Sequence, residues 1–181
     1  FHYDPDKHQT DVTSPSGQVT SYIYDDQGHL VQQIFPPVNG QRSQVSYVYD
    51  AHNRLIKATD GMGGVIQYQY DANGNCIQKT DQAGHAISFT YDASNHKTSE
   101  TNGDWVSHFI YDEKGHLRFT INPDGNVVEY QYDAKGNLIS ERHYPVAAYQ
   151  GDFTLAGLQA WQPLQDATKV EIIEYTYDLL G

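Results

Sequence analysis

The dipeptide Tyr-Asp is the most regular chemical feature of the sequence. An aromatic face beside a carboxylate can stack on a sugar ring and accept hydrogen bonds from its hydroxyl groups, so a row of such pairs could bind carbohydrate. The same pair could be structural, with the ring packed on a sheet and the aspartate accepting backbone N–H bonds at the start of a turn. Its position before turn residues favours the structural interpretation. The dipeptide begins at residues 3, 24, 49, 70, 91, 111, 132 and 177.

Oxygen-bearing side chains at alternate positions of one turn could instead bind calcium. Asp71, Asn73 and Asn75 have the spacing with which such a loop opens. A loop of the EF-hand type also requires a bidentate acid at its twelfth position, where this sequence has Gln82. We therefore predict no dedicated calcium site.

The sequence contains no motif for catalysis. A nucleophile elbow, a phosphate-binding loop and an HExxH zinc motif are all missing. Cys76 stands where other repeats have leucine, so we interpret it as a small packed hydrophobe. His29 and His116 occupy equivalent turn positions and are interpreted as solvated turn residues. We predict a non-enzymatic protein with no catalytic, cofactor-binding or metal-binding residues.

The charge balance excludes several classes of partner. Asp and Glu number 23 against 11 Lys and Arg, for a formal net charge of −12. Such a surface repels phosphate backbones and anionic bilayers, so we expect no nucleic-acid binding. No apolar run has the length of a membrane span, so we expect no membrane insertion. A single cysteine excludes an internal disulfide framework.

The aromatic residues predict the elements that carry these groups. Another aromatic residue precedes each tyrosine of the dipeptide by two positions, a spacing that places both rings on one face of a β-strand. Of the 15 tyrosines, only Tyr144 and Tyr149 lie outside this pattern. The predicted structural pairs are Tyr22 and Tyr24, Tyr47 and Tyr49, Tyr68 and Tyr70, Phe89 and Tyr91, Phe109 and Tyr111, Tyr130 and Tyr132, and Tyr175 and Tyr177.

Turn signals follow each aromatic pair. An aspartate comes first and a glycine or asparagine, which tolerates positive φ, stands three residues later. A second strand then begins, and another glycine-containing turn closes a unit of about 21 residues, which we interpret as one β-hairpin. The predicted structural turn residues are Asp25, Gly28, Asp50, Asp71, Gly74, Asp92, Asp112, Gly115, Asp133, Gly136 and Asp178.

One such hairpin buries too little apolar surface to be stable alone, so neighbouring hairpins must stack. We therefore predict an all-β fold of stacked antiparallel β-hairpins in a curled sheet spiral or open barrel, with one short helical insertion. A β-propeller is the alternative, because two units together have the length of a four-stranded blade. The spiral is favoured because adjacent units look equivalent.

The repeat is interrupted once. Asp152 or Thr154 could cap a short helix that Pro163 ends, and its apolar residues would lie against the sheet or plug an opening. The predicted division is repeat hairpins over 1–144, a helical insertion over 145–169 and the start of the next repeat over 170–181.

The segments Tyr70-Asp-Ala-Asn-Gly-Asn75 and Tyr132-Asp-Ala-Lys-Gly-Asn-Leu138 resemble the YD repeats of the Rhs family. Relatives in that family include bacterial polymorphic toxins, shell components of insecticidal toxin complexes, wall-associated Rhs proteins and animal teneurins. Their repeats form a β-sheet spiral around a hollow shell, which in the toxins encloses a C-terminal effector.

The resemblance implies a structural segment of a large secreted or surface-associated bacterial protein, which encloses or presents a toxin, effector or adhesive domain. Its implied partners are the other repeats of the same parent chain and an enclosed effector. A carbohydrate-binding or adhesion module with exposed aromatics is the alternative, with glycans as partners. Because shell proteins of this family are much longer, we expect this chain to be a fragment.

Overall fold

The computed structural model describes residues 1–144 and 148–177, whose regular elements are fifteen β-strands, one short α-helix and two 3-10 turns. The all-β prediction is therefore confirmed. The strands are β1 (His2–Asp4), β2 (Gln9–Thr13), β3 (Val19–Tyr24), β4 (Leu30–Ile34), β5 (Gln44–Tyr49), β6 (Leu55–Thr59), β7 (Val65–Tyr70), β8 (Cys76–Thr80), β9 (Ala86–Tyr91), β10 (Lys97–Asn102), β11 (Trp105–Tyr111), β12 (Leu117–Ile121), β13 (Val127–Tyr132), β14 (Leu138–Tyr144) and β15 (Glu171–Glu174). The helix α1 is Leu155–Trp161, and 3-10 turns cover Gln162–Leu164 and Ala167–Lys169.

The chain divides into two compact units, residues 1–86 and 87–181. In the first unit, β1 to β8 form one open sheet in which each strand pairs antiparallel with the next. The sheet continues from one hairpin to the next, as in the pairing of Gln33 on β4 with Val45 on β5. A propeller would interrupt the pairing after every fourth strand, so the propeller alternative is wrong.

The second unit contains β9 to β15 in the same antiparallel order. Strands β14 and β15 pair with His143 opposite Glu171. Continuing this register by one residue aligns Tyr144 with Val170, so residues 145–169 stand where β12 and β13 are joined by the five-residue turn 122–126. The predicted division at 144 and 169 is compatible with this register and stays a prediction.

The most buried part of the protein lies on one face of the second unit. Phe119, Ile121 and Val127 are at most 2% exposed. They alternate along β12 and β13 with Thr120 and Val128, so they lie on the face opposite the aromatic pair of β13. This apolar cluster is completed by Ile110, Tyr144, Tyr149 and Leu158.

Helix α1 provides the second layer over this apolar cluster. Thr154 caps it by accepting a hydrogen bond from the N–H of Gly157 at 3.1 Å. Leu158 is completely buried against the strands. The ring of Trp161 meets Tyr144 edge-on at 5.3 Å and Tyr149 at 5.4 Å. The segment therefore packs on the sheet through the two tyrosines that the repeat does not use.

The repeat aromatics are less buried than expected. The structural interpretation packs each ring on the sheet, but the rings from Tyr22 to Tyr132 are half-buried and Tyr175 and Tyr177 are exposed. The physical reason is that the one helix of the described residues covers the opposite face. The aromatic face is covered mainly by contacts between its own side chains.

Candidate functional site: the tyrosine and aspartate array

The Tyr-Asp dipeptides from Tyr24-Asp25 to Tyr132-Asp133 each end a strand and open a five-residue turn with one hydrogen-bond pattern. In the first complete example, Asp25 Oδ1 accepts from the N–H of Gln27 and of His29, both at 2.9 Å. The N–H of Gly28 donates to the Asp25 carbonyl at 3.0 Å, and Gly28 has a φ of 86°. The aspartate thus satisfies backbone donors that the sharp turn removes from the strand ladder.

This pattern recurs throughout the array. Oδ1 of the aspartate accepts from the second and fourth following N–H groups in the turns that begin at Asp50, Asp71, Asp92, Asp112 and Asp133. Asn53 and Asn95 take the positive φ that glycine takes elsewhere, at 63° and 66°. Asp178 lies outside the described residues.

Four of the second turns, those of residues 14–18, 60–64, 81–85 and 122–126, repeat the same design. Asp60 and Asp81 accept the same pair of N–H groups through Oδ1. Asn122 and Ser14 take the same position and accept from the fourth following N–H at 2.8 and 3.2 Å. Sequence reasoning located these four turns by their glycines but missed that they share the geometry of the Tyr-Asp turns.

The residue at the fifth turn position connects one hairpin to the next. Oδ2 of the aspartate contacts its side chain, as in His116 Nδ1 to Asp112 at 3.3 Å and Arg54 Nη2 to Asp50 at 2.7 Å. Where the fifth residue is histidine or arginine, its side chain also stacks on the tyrosine of the following repeat. The ring pairs are His29 with Tyr49 at 4.9 Å, His96 with Tyr111 at 4.7 Å and His116 with Tyr132 at 4.8 Å, and the Arg54 guanidinium lies 4.8 Å from the Tyr70 ring centre.

The interpretation of His29 and His116 as solvated turn residues is therefore wrong. Their side chains are 21% and 30% exposed, because each is held between an aspartate and the next tyrosine. Sequence reasoning missed this position, although a signal was present. The residue after the turn glycine or asparagine is always one with a planar polar group: His29, Arg54, Asn75, His96, His116 and Asn137.

A second connection runs through the phenol groups. The Tyr70 hydroxyl donates to the carbonyl of Leu55, the first residue of the second strand of the preceding hairpin, at 2.8 Å. Burial raises the pKa of the Tyr70 phenol, as it does for the equivalent tyrosines. The same bond joins Tyr49 to Leu30 at 3.1 Å, Tyr111 to Lys97 at 3.1 Å, Tyr132 to Leu117 at 2.9 Å and Tyr177 to Leu138 at 2.8 Å.

The turn carboxylates are held ionised by their partners. Arg54, through its side-chain hydrogen bond, lowers the pKa of Asp50 to about 2. The hydrogen bond from the Asn75 side chain lowers the pKa of Asp71, and the backbone N–H of Asn137 lowers that of Asp133. These carboxylates are engaged in their own turns, which leaves fewer of their oxygens for a sugar or a cation.

Lys97 shows how the aromatic face accepts a charged residue. It stands where most repeats have leucine, between the first aromatics of two hairpins. Its ammonium lies 4.5 Å from the Phe109 ring centre and 5.4 Å from that of Phe89, and pairs with Glu100 at 2.8 Å. Cation–π attraction and the ion pair replace the apolar contact of leucine.

A buried carboxylate lies near helix α1. Glu129 is 4% exposed, and its Oε2 accepts a hydrogen bond from the Tyr144 hydroxyl at 2.8 Å. Arg118 Nη2 lies 3.5 Å from Oε1, and Gln131 Nε2 donates to the same oxygen at 3.1 Å. Burial, followed by this bond to Glu129, raises the pKa of Tyr144 to about 12.

Among the described residues, no three His, Cys, Asp or Glu side chains lie together in an arrangement that could hold a metal ion. The Asp71 carboxylate considered for calcium accepts the N–H groups of Asn73 and Asn75 at 2.9 and 2.8 Å and the Asn75 side chain at 2.9 Å. Within the same part of the chain, every helix is too short to cross a membrane.

The array of stacked hairpins with linked Tyr-Asp turns matches a known domain. A family model for the teneurin YD-shell matches residues 19–153. The chain belongs to this family. No curated protein matches the chain. The resemblance to YD repeats predicted from the sequence is thereby confirmed, and the array described above is a YD-shell array.

Solved structures share the YD-shell fold. A crystal structure of TcdB2-TccC3 with Cdc42 is 22% identical over 70% of this chain with a TM-score of 0.58. A crystal structure of TcdB2-TccC3 is 20% identical over 75% of the chain with a TM-score of 0.57. The Tc holotoxin pore of Photorhabdus luminescens is 23% identical over 70% of the chain with a TM-score of 0.57. The chain spans only 8%, 9% and 7% of those chains, respectively.

Proposed function

We propose that this chain is a structural segment of a YD shell in a longer bacterial protein that is secreted or exposed at the cell surface. Its repeats would form part of a wall that encloses or presents an effector, toxin or adhesive domain. The YD-shell match and the small share of the related structures that the chain spans support this proposal.

The observation that carries the proposal is the link between successive hairpins. Within each unit, neighbouring hairpins pair through their strands, and five tyrosines donate hydrogen bonds to the preceding hairpin, as Tyr132 does to Leu117 at 2.9 Å. Such a wall is extended by adding hairpins, and its stability is the sum of contacts between neighbours. The tyrosine, aspartate and fifth-position side chains of the repeats bind one another, so the array acts as a scaffold rather than as a catalyst.

Limited proteolysis of the longer protein tests the enclosure. We expect a segment outside residues 1–181 to resist protease in the native protein and to become cleavable when Tyr70 and Tyr132 are both replaced by alanine. Mass spectrometry would identify the protected segment. Enclosure would be refuted if every segment outside residues 1–181 were cleaved as fast in the native protein as in the variant.

A further inference from the structure

One turn of the first unit lacks the side chain that its carboxylate normally contacts. In the turn of residues 60–64, Asp60 Oδ1 accepts the N–H groups of Met62 and Gly64 at 2.9 and 2.8 Å, as in the other turns. The fifth position is Gly64, so Oδ2 has no His, Arg or Asn to contact. Among the described residues, no hydrogen bond or ion pair reaches this oxygen.

A cavity of about 550 Å³ opens at this turn. Val45, Tyr47 and Ile66 form its apolar side, and Asp60, Asp81 and Gln82 form its polar side.

Gly64 keeps two acceptor oxygens close together beside the cavity. A Cβ at this position would lie 2.6 Å from Asp60 Oδ2 and would overlap the side-chain oxygen of Gln82. Two oxygens that converge on one point, with no donor between them, suit a ligand that supplies N–H or O–H groups.

The negative charge of the cavity lining favours a cationic ligand. Its lining has two carboxylates, Asp60 and Asp81, and no Lys, Arg or His. His85 contacts Asp81 Oδ2 at 3.2 Å, whereas Asp60 has no such neighbour. The net charge of −12 adds a general attraction for cations. The apolar side would accept an alkyl stem, and the Tyr47 ring suits a cation–π contact.

We propose that this cavity binds an alkylammonium group, such as the lysine side chain of a basic polypeptide segment. The chain already holds one of its own lysines in this way. The Lys97 ammonium lies 4.5 Å from the Phe109 ring centre and 2.8 Å from Glu100. Met62, 97% exposed at the tip of the same turn, offers an apolar contact for residues beside the bound lysine. The inference does not depend on the proposed enclosure.

The test is a ¹⁵N nuclear magnetic resonance titration of the 181-residue chain with Nα-acetyl-lysine methylamide. We expect saturable shifts of the Gly64 and Gln82 amides. The norleucine analogue, which has the same stem without the charge, is expected to bind at least about fivefold more weakly, since one ion pair near the surface contributes about that factor.

Three variants locate the site. Asp60→Asn keeps the turn, because Asn122 takes the same position in another turn, and is expected to weaken binding about fivefold. Gly64→Asn places a side chain at the point where the two oxygens converge and is expected to abolish binding. Asp71→Asn is the matched control. It removes one charge at a turn whose carboxylate already contacts the Asn75 side chain, and it should leave the affinity unchanged.

Four outcomes would overturn the proposal: no saturable shift, equal binding of the norleucine analogue, equal weakening by Asp71→Asn, or stronger binding of a neutral disaccharide. The third would indicate diffuse attraction to the acidic surface, and the fourth a glycan site. Preserved amide spectra of the variants would show that each remains folded.

Discussion

The Tyr132 ring stacks on His116 at 4.8 Å and 20°, and the Tyr132 hydroxyl donates to the carbonyl of Leu117 at 2.9 Å. One side chain therefore contacts two consecutive residues of the preceding hairpin, by its face and by its polar end. Because backbone and ring are both involved, the contact defines the position of one hairpin on the next.

Replacing Tyr132 separates the two contributions. Tyr132→Phe keeps the stacked ring and loses one hydrogen bond, so we expect unfolding to become easier by about 1 kcal/mol. Tyr132→Ala also loses the half-buried ring and is expected to cost about 2–3 kcal/mol, less than a fully buried ring would. Urea unfolding measures both. Tyr130→Phe is the control, since no hydrogen bond of the Tyr130 hydroxyl is found among the described residues, and an equal loss there would contradict this account.

The fifth turn position provides a graded test at His116. His116→Asn retains a partner for Asp112, as Asn137 does for Asp133 at 2.9 Å, but loses the stack on Tyr132. We expect a cost of about 1 kcal/mol for the stack and a larger cost for His116→Ala, which loses both contacts. Urea midpoints at pH 7 give the order. If both variants unfold like the parent, the side chain is a passive surface residue.

Acid should weaken the turns through Asp50. Its pKa in the folded protein, about 2, lies below the value of an unfolded aspartate, so folding stabilises the ionised form. This stability is fully present above about pH 4 and is lost as the pH falls toward 2. The urea midpoint of the parent should therefore fall more steeply between pH 5 and 3 than that of Asp50→Asn. Parallel curves would contradict the ionised pair with Arg54.

High pH should destabilise the protein by ionising the Tyr144 phenol. Its phenol has a pKa of about 12 when folded, so folding favours the protonated form, and that stability is lost as the pH rises above about 10. Absorbance titration of Tyr144→Phe should lack the last tyrosine to ionise. The variant also leaves Glu129, 4% exposed, without a donor at 2.8 Å, which should cost about 1–3 kcal/mol. Tyr175→Phe, at an exposed site, should cost much less.

The insertion can be exchanged for a turn. Replacing residues 145–169 with Asn-Pro-Asp-Gly-Asn, the sequence of residues 122–126, should preserve the pairing of β14 with β15 and uncover Phe119 and Ile121. We expect binding of a hydrophobic dye and a loss of at least about 2 kcal/mol, because Leu158 no longer covers them. A second variant with Phe119→Thr and Ile121→Thr should lose the dye binding. Dye binding that persists there would place the exposed surface elsewhere.

The hairpins and their turns could be predicted because their signals are local. Alternation along a strand and a glycine after an aspartate each act over a few residues. The role of His116 could not be read in this way, because its partner Tyr132 belongs to the next repeat.

The apolar cluster was missed for a related reason, although the repeats carried a trace of it. Phe119 and Ile121 stand where β6 has Lys57 and Thr59. Comparing equivalent positions across repeats would have marked this face as one that another segment covers. The sequence predicted that the helical insertion lies against the sheet or plugs an opening, but which strands it covers depends on contacts across many residues, which no local pattern contains.

Because the tyrosine hydroxyls bond to the preceding hairpin, the number of hairpins in the array can change without breaking these bonds. Excising residues 71–91 would join Tyr70 to Asp92 and regenerate the natural junction, while the Tyr70 bond to Leu55 and the Tyr111 bond to Lys97 would keep their own partners. Removing or duplicating one whole period at such a junction thus keeps these bonds, so the length of such an array can change in steps of about 21 residues.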